Sequence, residues 1–450
     1  MKTMKTKLAF LTILITLFLF KGQKGYSQEI QISKEDSIAN VLQGVKSDVD
    51  ALKKLKITGY IQAQYQLADT IGTTSFAGGN FPGTSDNRVM IRRGRIKFMY
   101  GNELSHFVLQ FDVSEKGFST KDIYFKATEP YLNALSITGG VFNRPFGYEI
   151  AYSSSNRESP ERARFTQTLF PGERDLGAMI SFNPPKTSVY NFFRIDAGLF
   201  AGNGVNPEFD KVKDFIGRVS VSKSTKSEKI KYGIGVSYYN GSVFKGSDTT
   251  FNMTDTIGGS GKGFVKSILK GSKSTFADRQ YVGFDAQLSF ETPVGISTLR
   301  GEYVFGIQPG TQNSTDVKKP NYSSVSPTLI PTGDTYNRKF SGFYVYFVQN
   351  ILQSKHQIVV KYDVYDPNTE VAGKDIVKKV NGKTSYLGSA DIKYSTLGLG
   401  YIYKFDKNLK LTVYYDIVSN ELTGITGTGQ SDYTKDLKDN VLTIRLQYKF

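Results

Sequence analysis

The chain has 450 residues, enough for two or three ordinary globular domains or one large barrel, and it carries a formal charge of +16 with a mean hydropathy of −0.31. It contains no cysteine, which excludes disulfide frameworks, thiolate nucleophiles and Cys-ligated metals together. Its 28 Tyr, 32 Phe and 44 Gly against 14 Pro favour strands and turns.

The chain opens with MKTMKTKLAFLTILITLFLFKGQKGYSQ, in which Lys2, Lys5 and Lys7 precede an apolar run from Leu8 to Phe20 and Gly25 and Ser27 stand where a peptidase cleaves. Residues 1–27 are therefore expected to be a secretory signal, since so short an apolar run does not span a bilayer comfortably. Removing them takes away Lys2, Lys5, Lys7, Lys21 and Lys24 and no acid, so the charge of +16 becomes +11. No later apolar run approaches the length of a membrane helix. Residues 28–55 form a separate segment preceding the period-two region that begins at residue 56. In it Ile38, Val41, Leu42, Val45, Val49 and Leu52 keep helical spacing, with Ser33 and Asp36 fitting an N-terminal capping box, which predicts a short periplasmic amphipathic helix over 33–55.

From residue 56 to the end the period changes to two. Sixteen strands are predicted, at 56–68, 88–100, 104–113, 120–129, 134–143, 174–183, 188–200, 212–224, 229–240, 279–292, 295–306, 339–350, 355–366, 390–405, 408–419 and 439–450. Their connections take turns in length. Short ones lie at 101–103, 130–133, 183–186, 224–228, 292–295, 351–355 and 405–408. The others, 69–87, 114–119, 144–173, 201–211, 241–278, 307–338, 367–389 and 420–438, are long apart from the second. Antiparallel neighbours joined this way put the long loops at one end and the short turns at the other. Even strand number, long outside loops and short periplasmic turns are the signature of a transmembrane antiparallel β-barrel, so the expected fold is all-β, a sixteen-stranded barrel over 56–450 with a short N-terminal helix, placed in the cell outer membrane.

The face pattern agrees. In NVLTIRLQYKF, Leu442, Ile444, Leu446, Tyr448 and Phe450 share one face, while Val441, Thr443, Arg445, Gln447 and Lys449 share the other. In MIRRGRIKFMYG, strict alternation puts Met90, Gly94, Ile96, Phe98 and Tyr100 on one side and Ile91, Arg93, Arg95, Lys97 and Met99 on the other. Arginine facing lipid at mid-membrane costs about 2–4 kcal/mol, so Arg93, Arg95 and Lys97 are assigned to the lumen, with water around them. Arg92 breaks the alternation and belongs either at the rim or where local geometry turns it inward.

The same alternation adds Lys126, Arg194, Arg218 and Arg300 to the lumen-facing cations. Arginine suits an anion path because its guanidinium stays charged, is weakly hydrated and offers several donors to a phosphate or sulfate. The bland reading is that these cations pair with lumen acids such as Asp112, Asp196 and Glu302, and both Arg194 and Arg300 have an acid two residues away on the same face. His106 and His356 stand alone without metal-ligand spacing, and GGSGKG at 258–263 lacks the Walker pattern. No enzyme, metal site or cofactor is expected. The basic charge is not read as nucleic-acid binding, given the signal and the wall-like alternation.

Four blocks in order, TGYIQAQYQLAD (58–69), NRVMIRRGRIKFMYG (87–101), GGVFNRPFGYE (139–149) and LFPGERDLGAMISF (169–182), resemble the phosphate-selective porin O and P family of outer-membrane channels. The resemblance spans 56–450 and is densest over 56–200. It implies a homotrimer of sixteen-stranded barrels in the lipid bilayer and lipopolysaccharide of the outer membrane, with the third long loop folded into the pore and arginines lining a path for small anions such as phosphate. Arg92 and Arg93 match the paired arginines of the family's second strand and Arg95 the further one. The constriction loop falls on the segment from Arg144 to Arg174, which contributes Arg144, Arg157, Arg162, Arg164 and Arg174 but also Glu149, Glu158, Glu161 and Glu173. A passive anion-conducting porin is thus the leading expectation, with a non-selective general porin, or a scaffold or adhesin binding through loops 241–278 and 307–338, as the alternatives.

Overall fold

The structure is a computed structural model that describes residues 34–315 and 332–450, with side chains in the N-terminal helix described from residue 41 onward. The expected signal at 1–27 lies outside the described residues. The chain divides into two units at Lys53/Lys54. The first contains helix α1 (Lys34–Lys53), within the predicted helical span. No helix among the described residues is long and apolar enough to cross a membrane.

The second unit is a closed sheet. Its wall is formed by β1 (Leu55–Ala68), β2 (Asn87–Gly101), β3 (Ser105–Ser114), β4 (Gly117–Thr128), β5 (Leu135–Asn143), β6 (Arg174–Phe182), β7 (Phe193–Phe200), β8 (Asp214–Ser224) and β9 (Ile230–Phe244). It continues through β12 (Phe276–Thr292), β13 (Gly295–Gly310), β14 (Thr335–Asn350), β15 (His356–Asp366), β18 (Tyr394–Lys404), β19 (Leu409–Asn420) and β20 (Val441–Lys449). Each strand pairs antiparallel with the next, and β20 returns to β1 from Tyr60↔Lys449 to Ala68↔Val441, so the barrel closes with sixteen strands as the sequence predicts. Closure pairs every edge, the condition for a sheet in hydrocarbon. The alternation of β20 is as read: Val441, Thr443, Arg445 and Gln447 are buried inward, whereas Ile444, Leu446 and Tyr448 are exposed outward.

Two expectations change. Strand β2 does not alternate strictly, because its register against β1 slips between Gln62↔Arg93 and Ala63↔Ile91 and leaves Arg92 as an extra residue. A bulge of this kind reverses the faces on one side of it. Met90 is therefore buried inward, Val89 is exposed outward, and Arg92 and Arg93 both point into the lumen. The second change is in the 241–278 connection, where β10 (Thr249–Ile257) and β11 (Gly261–Ile268) form a hairpin with GGSG at its tip. Its Phe251 and Phe264 pack with Tyr336, Val371, Ile376, Leu387, Ile392 and Ile425 into an apolar cluster shared by the long loops. Within 367–393 a further minimal hairpin is formed by β16 (Lys379–Val380) and β17 (Lys383–Thr384).

Candidate functional site

The site is built by the third long connection, 144–173, which leaves β5 and folds against the inner wall, as the family resemblance implies. Gly147 starts the inward turn at φ +61°, where a side chain would strike the carboxylate of Glu302. The backbone N–H of Gly147 donates to Ser237 Oγ at 2.9 Å, and those of Tyr148 and Glu149 both donate to Glu302 Oε2 at 3.1 Å. A short helix α2 (Arg164–Leu169) lies on the returning limb, its N-terminal Ala163 N–H donating to the Glu149 carboxylate at 3.1 Å. Phe146, Phe165, Leu169 and Phe170 then enter an aromatic cluster with wall residues Tyr239, Tyr281, Phe340 and Tyr344. The wall is notched for them: a side chain at Gly342 would meet Phe165 at 2.7 Å.

The opposite limb, 154–161, reaches the other side of the lumen. Ser154 Oγ is 2.5 Å from Tyr60 Oη and accepts from Arg95 Nη1 at 3.2 Å, and the carbonyl of Ser155 accepts from Gln447 at 2.9 Å and Lys410 at 3.3 Å. Its centre is Glu161. Arg92 Nε at 2.8 Å, Arg93 Nη2 at 2.6 Å, Arg445 Nη2 at 3.0 Å and Arg157 Nη2 at 4.0 Å all converge on this carboxylate. Burial alone would raise the Glu161 pKa, but the four guanidinium groups hold it well below the usual carboxylate range. Glu173 behaves likewise. Burial opposes its ionisation, while Arg162, Arg174, Arg95 and Arg93 depress its pKa.

The strand-two arginines are consequently not free in water. Arg93 is 4% and Arg95 8% exposed, and Arg95 pairs with Asp112 at 3.0 Å. Arg144 pairs with Asp175 at 3.0 Å, Arg174 with Asp122 at 2.8 Å, and Arg162 with Glu173. Arg218 pairs with Asp285 at 2.7 Å. Arg194 takes the acid two residues along its own strand, Asp196, at 2.7 Å. Arg300 does not take Glu302: it pairs with Glu158 of the loop at 2.5 Å and lies over the rings of Tyr152 and Tyr346. Arg164 has no ion pair among the described residues, and its guanidinium sits over Phe76 at 4.4 Å and Tyr394 at 3.8 Å. In the ion pairs at Glu161, Glu173, Asp112 and Asp122, seven guanidinium groups (Arg92, Arg93, Arg95, Arg157, Arg162, Arg174, Arg445) meet these four carboxylates, beside the separate Arg300–Glu158 pair of the same loop. Among the described residues, buried Arg157 Nη1 and Gln64 Nε2 have no hydrogen-bond partner.

Lys361 is buried and pairs with Asp363 at 2.9 Å, but the lysines near the short turns behave differently. Lys97 and Lys126 line a cavity of ≈ 320 Å³ together with Arg144, Arg194, Arg218, Asp122 and Asp196. A second cavity, of ≈ 410 Å³, is lined by Lys404, Lys407, Lys410 and Lys449 with Asp406 and Glu158. Lys97, Lys126, Lys404, Lys410 and Lys449 stand close to the short turns, and among the described residues none of them forms an ion pair. Lys404, Lys407 and Lys410 of the second cavity went unrecognised as site residues in the sequence, and so did Arg445, Lys449 and Lys121. Arg445 and Lys449 were on the inward face by alternation and could have been chosen; Lys121 is the extra residue of a second register slip, between Gln110↔Asp122 and Phe111↔Thr120, which alternation cannot show.

An apolar outer belt, a closed sixteen-stranded wall and an inward-folded loop define a membrane-spanning β-barrel of the porin architecture. No known family model matches the sequence, and no curated protein matches it. Among solved structures it superposes on an anion-selective porin from Comamonas acidovorans with a TM-score of 0.50 and 12% identity, over 88% of this chain and 99% of that one. The outer membrane channel DcaP of Acinetobacter baumannii gives 0.48 and 11% identity over 88% of this chain and 97% of that one. OmpT of Vibrio cholerae gives 0.47 and 11% over 88% and 99%. At these identities the likeness to the Comamonas porin is one of fold.

Proposed function

We propose that this protein is a passive outer-membrane porin for small anions. The observation that carries the reading is the local excess of cations in the ion-pair clusters at Glu161, Glu173, Asp112 and Asp122, where seven guanidinium groups meet four carboxylates, together with the lysines of both cavities at the short-turn end that form no ion pair among the described residues. Such a surplus in a low-dielectric wall raises the local anion concentration and repels cations. Arg92, Arg93, Arg95, Lys97, Lys126, Arg194, Arg218 and Arg300 contribute to this potential, tempered by their acid partners. Phosphate is the finer candidate within this reading. Its support is the set of guanidinium groups around Glu161, whose planar donors match tetrahedral oxyanions better than chloride, and the unpartnered Arg157 Nη1 beside them.

A second reading, a scaffold that binds through its outer loops, is favoured by the apolar cluster that packs the β10–β11 hairpin onto the 367–393 and 421–440 connections. Current through purified protein in a planar bilayer separates the two. The porin reading expects steady conductance, a reversal potential on the anion side in a tenfold KCl gradient, and block of chloride current by phosphate. Absence of current supports the scaffold, and cation selectivity refutes the anion path.

A further inference from the structure

Arg164 stands apart from the other arginines of the 144–173 connection. Rings cover both faces of its guanidinium, Phe76 at 4.4 Å and Tyr394 at 3.8 Å. Stacking of this kind uses the faces of the planar group and leaves its N–H edge for an acceptor in the same plane. That edge is not satisfied: Arg164 is 9% exposed, and its Nε is buried without a hydrogen-bond partner among the described residues.

Arg164 lines a cavity of ≈ 30 Å³ at the long-loop end of the barrel, where residues 74–77 of the first long connection and the 161–164 limb meet the outer ends of β15, β18 and β19. Asp439, from the 421–440 connection, lines the same cavity at 4% exposure, and its Oδ1 also lacks a partner among the described residues. The other charges are mostly committed. Glu161 is held by its arginines, Arg162 by Glu173, and Asp363 by Lys361 at 2.9 Å. Asp416 lines the cavity too and forms no ion pair among the described residues. One guanidinium and two carboxylates therefore share a small space without pairing. Burying charge without a partner is costly, so such a set is completed by a ligand that brings both signs.

We propose that this cavity binds a small zwitterion, an α-amino acid of the size of glycine, with its carboxylate on the open edge of Arg164 and its ammonium on Asp439. A carboxylate matches the guanidinium edge in plane with two parallel hydrogen bonds, and an ammonium is a compact donor of three. An oxyanion alone would bring its charge beside Asp439 and Asp416, and a simple cation would meet Arg164. A zwitterion satisfies both sides and adds no net charge to the buried space. Size limits the ligand further: one water needs about 10–15 Å³ of such space, so the cavity takes only a few heavy atoms. Phe76 and Tyr394 act as positioning residues, fixing the plane in which the Arg164 edge lies.

The test is equilibrium dialysis of full-length protein in detergent against radiolabelled glycine. Burial pushes the Asp439 carboxyl up to about 7, with Arg164 opposing, so the measurement is made at about pH 8, where Asp439 is ionised and glycine is still a zwitterion. Saturable binding of one glycine per chain is expected. Acetate, which offers only the carboxylate, and methylammonium, which offers only the ammonium, should each compete at least about tenfold less well than glycine. Asp439→Asn and Arg164→Gln should each weaken binding by about tenfold or more, while Asp432→Asn, outside the cavity, leaves it unchanged. If Arg164→Gln disturbs the loop, Arg164→Lys keeps the charge, loses the planar edge and should weaken binding likewise. Absence of saturable binding, acetate or methylammonium competing as well as glycine, or binding unchanged in the Asp439 and Arg164 variants overturns the site. Phosphate displacing glycine more effectively than glycine itself also overturns it, in favour of an oxyanion. Chloride current is read separately: current without glycine binding refutes this site alone, and glycine binding without current refutes the porin reading alone.

Discussion

Glu161→Gln removes one charge and almost no volume from the point on which Arg92, Arg93, Arg157 and Arg445 converge. Removing one partner from a buried ion pair costs about 3–5 kcal/mol, because the remaining charge stays desolvated. At about 1.4 kcal/mol per decade, that shifts the bound-to-released equilibrium of the 154–161 limb by roughly a hundredfold to a few thousandfold. The returning limb keeps its aromatic anchors Phe146, Phe165 and Phe170, so the barrel and the rest of the loop remain. Single-channel recording should show a larger, noisier unit conductance and a reversal potential moved further to the anion side. Arg93→Ala is the control, since it leaves Glu161 with three guanidinium groups and should change conductance less. Records for Glu161→Gln indistinguishable from the parent would mean that the limb is held by its serine and backbone contacts, and that the cluster is not its latch.

Acid gives a related result with the opposite sign of expectation. A carboxylate with a depressed pKa contributes above its unperturbed value and loses that contribution only as pH falls through the depressed one, so the Glu161 latch, whose usual value would be 4.5, should hold at pH 4 with unit conductance unchanged in form. Lys410→Gln with Lys449→Gln should move the reversal potential toward zero at 0.1 M salt and do nothing at 1 M, where the Debye length falls from about 10 Å to about 3 Å; an effect of equal size at both would place these lysines in the constriction itself. Gly342→Val should expel Phe165, against which its side chain would lie at 2.7 Å, and raise conductance while the barrel still shows its folded electrophoretic mobility, at an overpacking cost of about 1–3 kcal/mol. Loss of the folded barrel would show that the loop and wall assemble together.

The wall was legible because lipid imposes a rule on every strand: a residue either faces hydrocarbon or it does not, and the alternation in β20 reports that directly. What alternation cannot register is an inserted residue. Arg92 and Lys121 both sit at register slips, and each slip depends on how the neighbouring strand pairs, which no single strand encodes. The β10–β11 hairpin escaped for another reason. Its Phe251 and Phe264 bury against other loops rather than against lipid, so a threonine-rich stretch with few apolar positions resembles solvated chain. Ion-pair choice was the least legible. Arg194–Asp196 and Arg300–Glu302 have the same spacing on one face, yet only the first pair forms, because Glu302 is occupied by the backbone N–H groups of Tyr148 and Glu149 and Arg300 is drawn to Glu158 of the incoming loop.

The division of labour between the two cations follows from their hydration. A guanidinium is weakly hydrated and can present several donors in one plane, so it tolerates a dry contact with a carboxylate; an ammonium is a compact charge that holds water strongly. Most buried cations around the 144–173 connection are arginines, matched to Glu161, Glu173, Asp112 and Asp122, with Lys361, paired to Asp363, as the exception; Lys97, Lys126, Lys404, Lys410 and Lys449 line the cavities and have no carboxylate partner among the described residues. Under the proposed porin reading, the arginines would fix the shape of the path and leave a residual surplus charge, while the lysines would supply most of the unneutralised potential at the short-turn end. Selectivity at low salt and the geometry of the constriction should therefore respond to different substitutions: lysine-to-glutamine changes alter the first without the second, and changes at Glu161 alter both.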